Sequence, residues 1–140
     1  MPKPTAGAIL YKSEEEWDTI LLTRRNIEPF KGQWCLPGGH IEAYESVEDA
    51  IKREVKEETN LDFEPSFIGY IDEIFKEKEI HNVPLFFYGE AQGEPQREES
   101  EVEEIKWFPI EEALQLELAF YHNQVLNFYH EFLKAQEEEG

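Results

Sequence analysis

The stretch Ser46 to Thr59 constrains the fold most, because it reads as a helix whose apolar face is broken by acids. On a wheel of about 100° per residue with Val47 at zero, Ala50, Ile51 and Val55 fall near ~300°, ~40° and ~80°. They form an apolar stripe. Lys52 and Lys56 fall on the opposite side, near ~140° and ~180°, and face water. Ser46 is placed to cap the first turn, with Glu48 and Asp49 just inside it, and Asn60 suits the left-handed position that ends a helix. The exception is the C-terminal half. Glu54 and Glu58 fall near ~340° and ~20°, inside the stripe, and Glu57 near ~280° on its border. Such a helix must pack on something and still bring three carboxylates to the packed side.

Carboxylates so placed repel one another and lose hydration. Two readings follow from the spacing alone. The acids are hard oxygen ligands for Mg²⁺ or Mn²⁺, or this end of the helix is exposed and they are solvated.

The flanking sequence predicts a mixed α/β domain. Thr5–Tyr11 and Asp18–Arg24 read as strands joined by the polar segment Lys12–Trp17, and Asn26–Gln33 as a loop. Trp34–Glu42 carries Pro37-Gly38-Gly39, where the backbone turns and can approach a ligand. Phe67–Lys76 and Val83–Ala91 read as strands around a charged loop, and Gln92–Glu104 as an acidic loop. Glu104–Phe108 returns to strand. Pro109 opens a short helix over Ile110–Leu116, and Phe120–Ala135 forms a longer amphipathic one. Neither repeats nor linkers divide the chain, so residues 1–135 are expected to form one domain with 136–140 as a frayed acidic tail.

Composition narrows the function. The chain has 140 residues, 32 acids against 13 Lys plus Arg, and a net charge of −19. Such a surface repels nucleic acid, and a phosphorylated substrate also needs cations in between. No apolar run has the length of a membrane span, and the N-terminus lacks a signal-peptide layout. Cys35 is the one cysteine, so no intrachain disulfide forms; together these features favour the cytoplasm. Cys35 reads as a packing residue, and His40, His81, His122 and His130 show no zinc-type spacing.

From Gly39 the sequence runs five residues to Glu45, then seven more to Arg53-Glu54-Val55-Lys56-Glu57-Glu58-Thr59-Asn60-Leu61. This resembles the Nudix box, the signature of the Nudix hydrolase family. Asn60 departs from the usual Gly, and Tyr44 stands where Gly is frequent. The segments Leu21–Arg24, Gly32–Gly39 and Trp107–Leu114 extend the resemblance to about residues 5–115.

The resemblance implies an α/β/α sandwich with a mixed sheet, and metal-dependent hydrolysis of a phosphoanhydride bond in a nucleoside diphosphate linked to another moiety. It implies Glu54, Glu57 and Glu58 as ligands of Mg²⁺ or Mn²⁺, with the Gly38 carbonyl as an added ligand. Arg53 and Glu45 would brace the loop against the helix and, with Glu57, form the catalytic set. Arg24, Gly38, Gly39 and Asn123 would meet the substrate. The general base would be Glu57 or one of Glu98, Glu99, Glu101, Glu103 and Glu104.

The resemblance puts oxidised or normal nucleoside triphosphates first among substrates, through Asn123, and ADP-ribose second, through Leu118–His122. The rival is a non-catalytic module of the same fold that senses a nucleotide or binds a protein. The aromatic face of the last helix (Tyr121, Val125, Phe128, Tyr129, Phe132) reads most simply as core, with a homodimer contact as the alternative.

Overall fold

The computed structural model describes residues 1–13 and 18–139. The Glu14–Trp17 part of the expected polar connection, and Gly140, lie outside the described residues.

Strand β1 (Lys3–Ser13) and strand β2 (Asp18–Arg25) carry the centre of the sheet. Both hold apolar residues at consecutive positions, Ala8-Ile9-Leu10 and Ile20-Leu21-Leu22, all fully buried. A strand buried on both faces needs a layer on each side. One layer is helix α1 (Val47–Thr59), whose Ile51 and Val55 pack with Leu10, Leu21 and Phe87. The other is helix α3 (His122–Glu139), whose Val125, Leu126 and Tyr129 pack with Ile9, Ile20 and Leu22. Helix α2 (Ile110–Ala113) joins that second layer through Ile110 and Ala113. The result is the expected sandwich.

The sheet is mixed. Strand β7 (Ile80–Glu90) runs parallel to β1, and the other pairings are antiparallel. Strands β3 (Trp34–Cys35) and β8 (Val102–Pro109) pair with β2, and strand β4 (Gly38–His40) pairs with β1. Strands β5 (Ser66–Tyr70) and β6 (Glu73–Phe75) pair with successive parts of β7. The sequence reads these last two as one strand over Phe67–Lys76. They are separate because a bulge between Phe67 and Gly69 shifts the register and the chain leaves the ladder at Ile71-Asp72.

The caps of α1 form as expected. Asp49 N–H donates to Ser46 Oγ at 3.1 Å, and Asn60 takes φ 66° with its N–H bonded to the Lys56 carbonyl. The chain before α3 differs from expectation. Phe120 and Tyr121 have φ 56° and 64°, so the helix starts at His122, and it continues through Gln136–Glu139 where a frayed tail is expected. Of its aromatic face, Val125 and Tyr129 are core, while Phe128 is exposed. No helix among the described residues is long and apolar enough to cross a membrane.

Asn60 gives a direct check of the cap. Asn60→Ala places a Cβ-bearing residue without local hydrogen bonding in the left-handed region, and should destabilise by about 1 kcal/mol. Asn60→Gly should stay within ~0.5 kcal/mol of the parent. Both are read by chemical denaturation.

Candidate functional site

Two glycines allow close approaches here, Gly39 of the α1 carboxylate Glu54 and Gly38 of the β1 backbone. Gly38 and Gly39 pair with Gly7 and Ala6 of β1. A Cβ on Gly39 would lie 2.5 Å from the Glu54 carboxyl carbon, so the Glu54 carboxylate occupies the space a side chain would take. A Cβ on Gly38 would run into the Ala6 carbonyl oxygen. Gly38 N–H donates to Glu58 Oε2 at 3.3 Å.

The wheel's ordering is reproduced. Glu58 is buried, the Glu54 side chain is mostly buried, and Glu57 is exposed. Burial pushes the Glu58 carboxyl well above the usual carboxylate range, Glu54 beside it adds to this, and the Gly38 N–H opposes it. Burial likewise raises Glu54, against the opposing effect of Arg53.

Arg53 ties the cluster together. Its Nε and Nη2 donate to the two oxygens of Glu45 at 2.7 and 3.0 Å, a bidentate fork. Its Nη1 donates to Glu54 at 2.9 Å and Glu57 at 3.2 Å, and its Nη2 to the His40 carbonyl at 3.0 Å. The hydrogen bond from Arg53 holds Glu45 below the usual range, and the Glu45 carboxylate in turn raises Arg53. Loop 40–45 is thereby pinned to α1.

These carboxylates line one side of a cleft of about 520 Å³. Gly38, Gly39, Glu54 and Glu58 line it together. The remaining expected residues divide. Glu57 and Glu45 reach the cluster through Arg53. Arg24 does not line the cleft. Its Nη2 pairs with Glu103 at 2.8 Å, its guanidinium lies over Trp34, and its Nε is buried without a partner. Arg25, the neighbouring strand residue on the opposite face, enters the cleft instead, with Nε bonded to the Pro29 carbonyl and its guanidinium 4.8 Å from the Phe120 ring centre.

Asn123 is also not brought to the cleft. Its Oδ1 accepts from Leu118 N–H at 2.9 Å and its Nδ2 donates to the Leu116 carbonyl at 2.5 Å, so the amide braces the turn before α3. Of the late-loop acids, Glu101 lines the cleft. Glu98 accepts from Ser100 and Glu101, which hold it below the usual range.

Glu73, for which the sequence gives no site role, lines the cleft and is buried, as is His122 at the end of the Leu118–His122 stretch. His122 Nδ1 accepts from Leu36 N–H at 3.0 Å, as a satisfied core histidine would.

A divalent cation suits this donor set. Buried carboxylates with raised proton affinity are hard oxygen ligands lacking sufficient positive charge. Among the described residues, no three acidic, His or Cys side chains are already drawn round one point, since Arg53 holds Glu54 and Glu57 while Gly38 holds Glu58. Binding therefore requires these side chains to exchange partners.

The layered fold and its acid-lined cleft are those of an α/β/α hydrolase. The chain belongs to the Nudix family: the NUDIX domain model matches residues 1–129. A Methanocaldococcus jannaschii protein named ADP-ribose pyrophosphatase is 32% identical over 116 residues, 82% of this chain and 68% of that one. Three other curated relatives are longer proteins, of which the chain spans a fifth or less. The NUDIX domain of Shewanella oneidensis NrtR, solved with ADP ribose, superposes with TM-score 0.85 at 26% identity, covering 95% of this chain and 89% of that one. A MutT Nudix hydrolase from Burkholderia pseudomallei gives 0.81 at 28% identity, covering 91% and 97%.

The glycines separate two effects. Gly39→Ala displaces only the flexible end of Glu54, so the fold should survive while Mn²⁺ affinity, read by calorimetry, falls roughly tenfold. Gly38→Ala meets backbone and should destabilise by about 1–3 kcal/mol.

Proposed function

We propose that the cleft hydrolyses a phosphoanhydride bond in a nucleoside diphosphate linked to another moiety, with Mg²⁺ or Mn²⁺ held by Glu54, Glu57 and Glu58. The observation that carries this reading is the buried pair Glu54 and Glu58 set against the Gly38-Gly39 strand, where packing alone would favour apolar residues. The Gly38 carbonyl is the further oxygen ligand.

The bound cation supplies charge neutralisation for the phosphate oxygens and lowers the pKa of the attacking water. The chain's own residues do the rest. Arg53 orients Glu54 and Glu57 and, through Glu45, fixes the loop that forms one wall. Gly39, lacking a side chain, leaves the Glu54 carboxylate room beside strand β4. Arg25, in place of the expected Arg24, supplies a guanidinium to the cleft. A carboxylate takes the proton from water. Glu57 holds that place on α1, and Glu101 is the acid of the late loop that faces the cleft.

Nucleoside triphosphates and ADP-ribose both carry the required diphosphate. The Asn123 amide, which spoke for the first, bonds to Leu116 and Leu118, and the Methanocaldococcus relative and the NrtR complex support the second. The partner is a small nucleotide, consistent with the net charge of −19, which disfavours a polyanion bound without metal.

The test is nucleoside monophosphate release from ADP-ribose, dinucleoside polyphosphates, and normal and oxidised dNTPs, with Mg²⁺, Mn²⁺ or chelator. Turnover of at least one substrate should need metal. Glu58→Gln and Glu57→Gln should each lower kcat at least about a hundredfold without unfolding the chain. Unchanged turnover in both variants would sink the assignment. Binding without turnover by the parent chain would favour the sensing module.

A further inference from the structure

The end of the cleft away from α1 holds a second buried carboxylate that the hydrolytic reading leaves without a task. Glu73 on β6 is 3% exposed and lines the cleft. Among the described residues no Lys or Arg lies in salt-bridge range of it, and the neighbouring side chain is a histidine, with His122 Nε2 3.5 Å from Oε2. Asn82 Nδ2 donates to Oε1 at 3.3 Å. Because His122 Nδ1 accepts the Leu36 N–H, the ring proton of the neutral imidazole sits on Nε2, facing Glu73. The carboxylate is thus held by Asn82 on one oxygen and faces the His122 ring with the other, and each oxygen keeps a lone pair free.

Its location matches the nucleoside half of a substrate. Strands β4, β1, β7 and β6 lie in that order, so three inter-strand steps, about 14 Å, separate the Gly38 strand from the Glu73 strand. Phe86 and Phe120 flank this end, their rings 5.6 and 5.7 Å from the His122 ring. Apolar walls beside a few fixed polar groups are what a ligand pocket needs.

Resting on the proposed reaction, we infer that Glu73 is a specificity residue accepting two adjacent hydrogen bonds from the nucleoside. Two parts of a nucleoside present such a pair. One is the N1–H and 2-amino edge of guanine or oxidised guanine. The other is the 2′,3′-diol of ribose. The Watson–Crick edge of adenine does not, since its N1 lone pair would face the carboxylate, and a deoxyribose lacks the 2′ donor. If Glu73 only oriented His122, its loss would affect every substrate alike.

The experiment measures dissociation constants of the α,β-methylene analogues of GTP, dGTP, ATP and dATP with Mg²⁺, for the parent chain and Glu73→Gln. A glutamine turns one acceptor into a donor. The inference expects weakening of at least tenfold that depends on the ligand. Loss for both guanine analogues with adenine unchanged assigns the base edge, and loss for both ribonucleotides with the deoxy forms unchanged assigns the diol. Equal loss across all four, no loss, or no binding by the parent chain overturns it. Melting temperature checks the fold, and should Glu73→Gln not fold, Glu73→Asp is read by the same criteria. Selective binding without turnover would remove the hydrolytic reading and leave this one standing. Turnover without selectivity would do the reverse.

Discussion

The Arg53 guanidinium is the interaction on which the site depends. Helix α1 can pack on the sheet only by bringing Glu54 and Glu58 out of water, and buried like charges are unfavourable unless paired. Arg53 compensates part of that charge through Glu54 and Glu57 while its fork holds both oxygens of Glu45. One side chain therefore joins helix, loop and, through the His40 carbonyl, strand β4. Among the described residues it leaves the Glu58 carboxylate with the Gly38 N–H as its hydrogen-bond partner, and the site still short of positive charge.

Topology then sets the shape of the cleft. Strand β1 lies between β4, whose Gly39 faces Glu54 of α1, and β7, whose neighbour β6 delivers Glu73. The acid-rich end and the aromatic end thus come from different layers, the first carried by α1 and the second by Phe86 and His122 on the α3 side, and both line one cleft. His122, at the start of α3, bridges the Leu36 backbone to Glu73 and so links the turn before Gly38 to the far wall.

What was legible in the sequence was local. The caps of α1, the carboxylates in its stripe and the Gly-Gly turn depend on short spacings, and each stands in the structure where the spacing put it. Side-chain direction in β2 was not legible. Ile20, Leu21 and Leu22 are all buried, so the run carries no alternation to show which parity faces α1, and Arg24 was chosen where Arg25 enters the cleft. Asn123 stands early in α3, as the spacing places it, but its amide bonds to Leu116 and Leu118 in the turn before the helix, where Phe120 and Tyr121 take left-handed conformations that no Gly announces. Glu73 was hidden in a segment read as one strand. Only the pairing with β7 separates β5 from β6, although an acid beside Ile74 in an apolar strand was a signal.

The central claim is that the α1 carboxylates form a site for a divalent cation that the folded chain lacks charge to satisfy. Thermal unfolding across a Mn²⁺ titration tests it most directly, because an ion that binds only the folded state raises the melting temperature with its concentration. The melting temperature should keep rising with Mn²⁺ concentration in the parent chain and stay constant in a Glu54→Gln/Glu58→Gln variant, which itself should melt no lower than the metal-free parent. A melting temperature indifferent to Mn²⁺, or one that rises equally in the double variant, would contradict it.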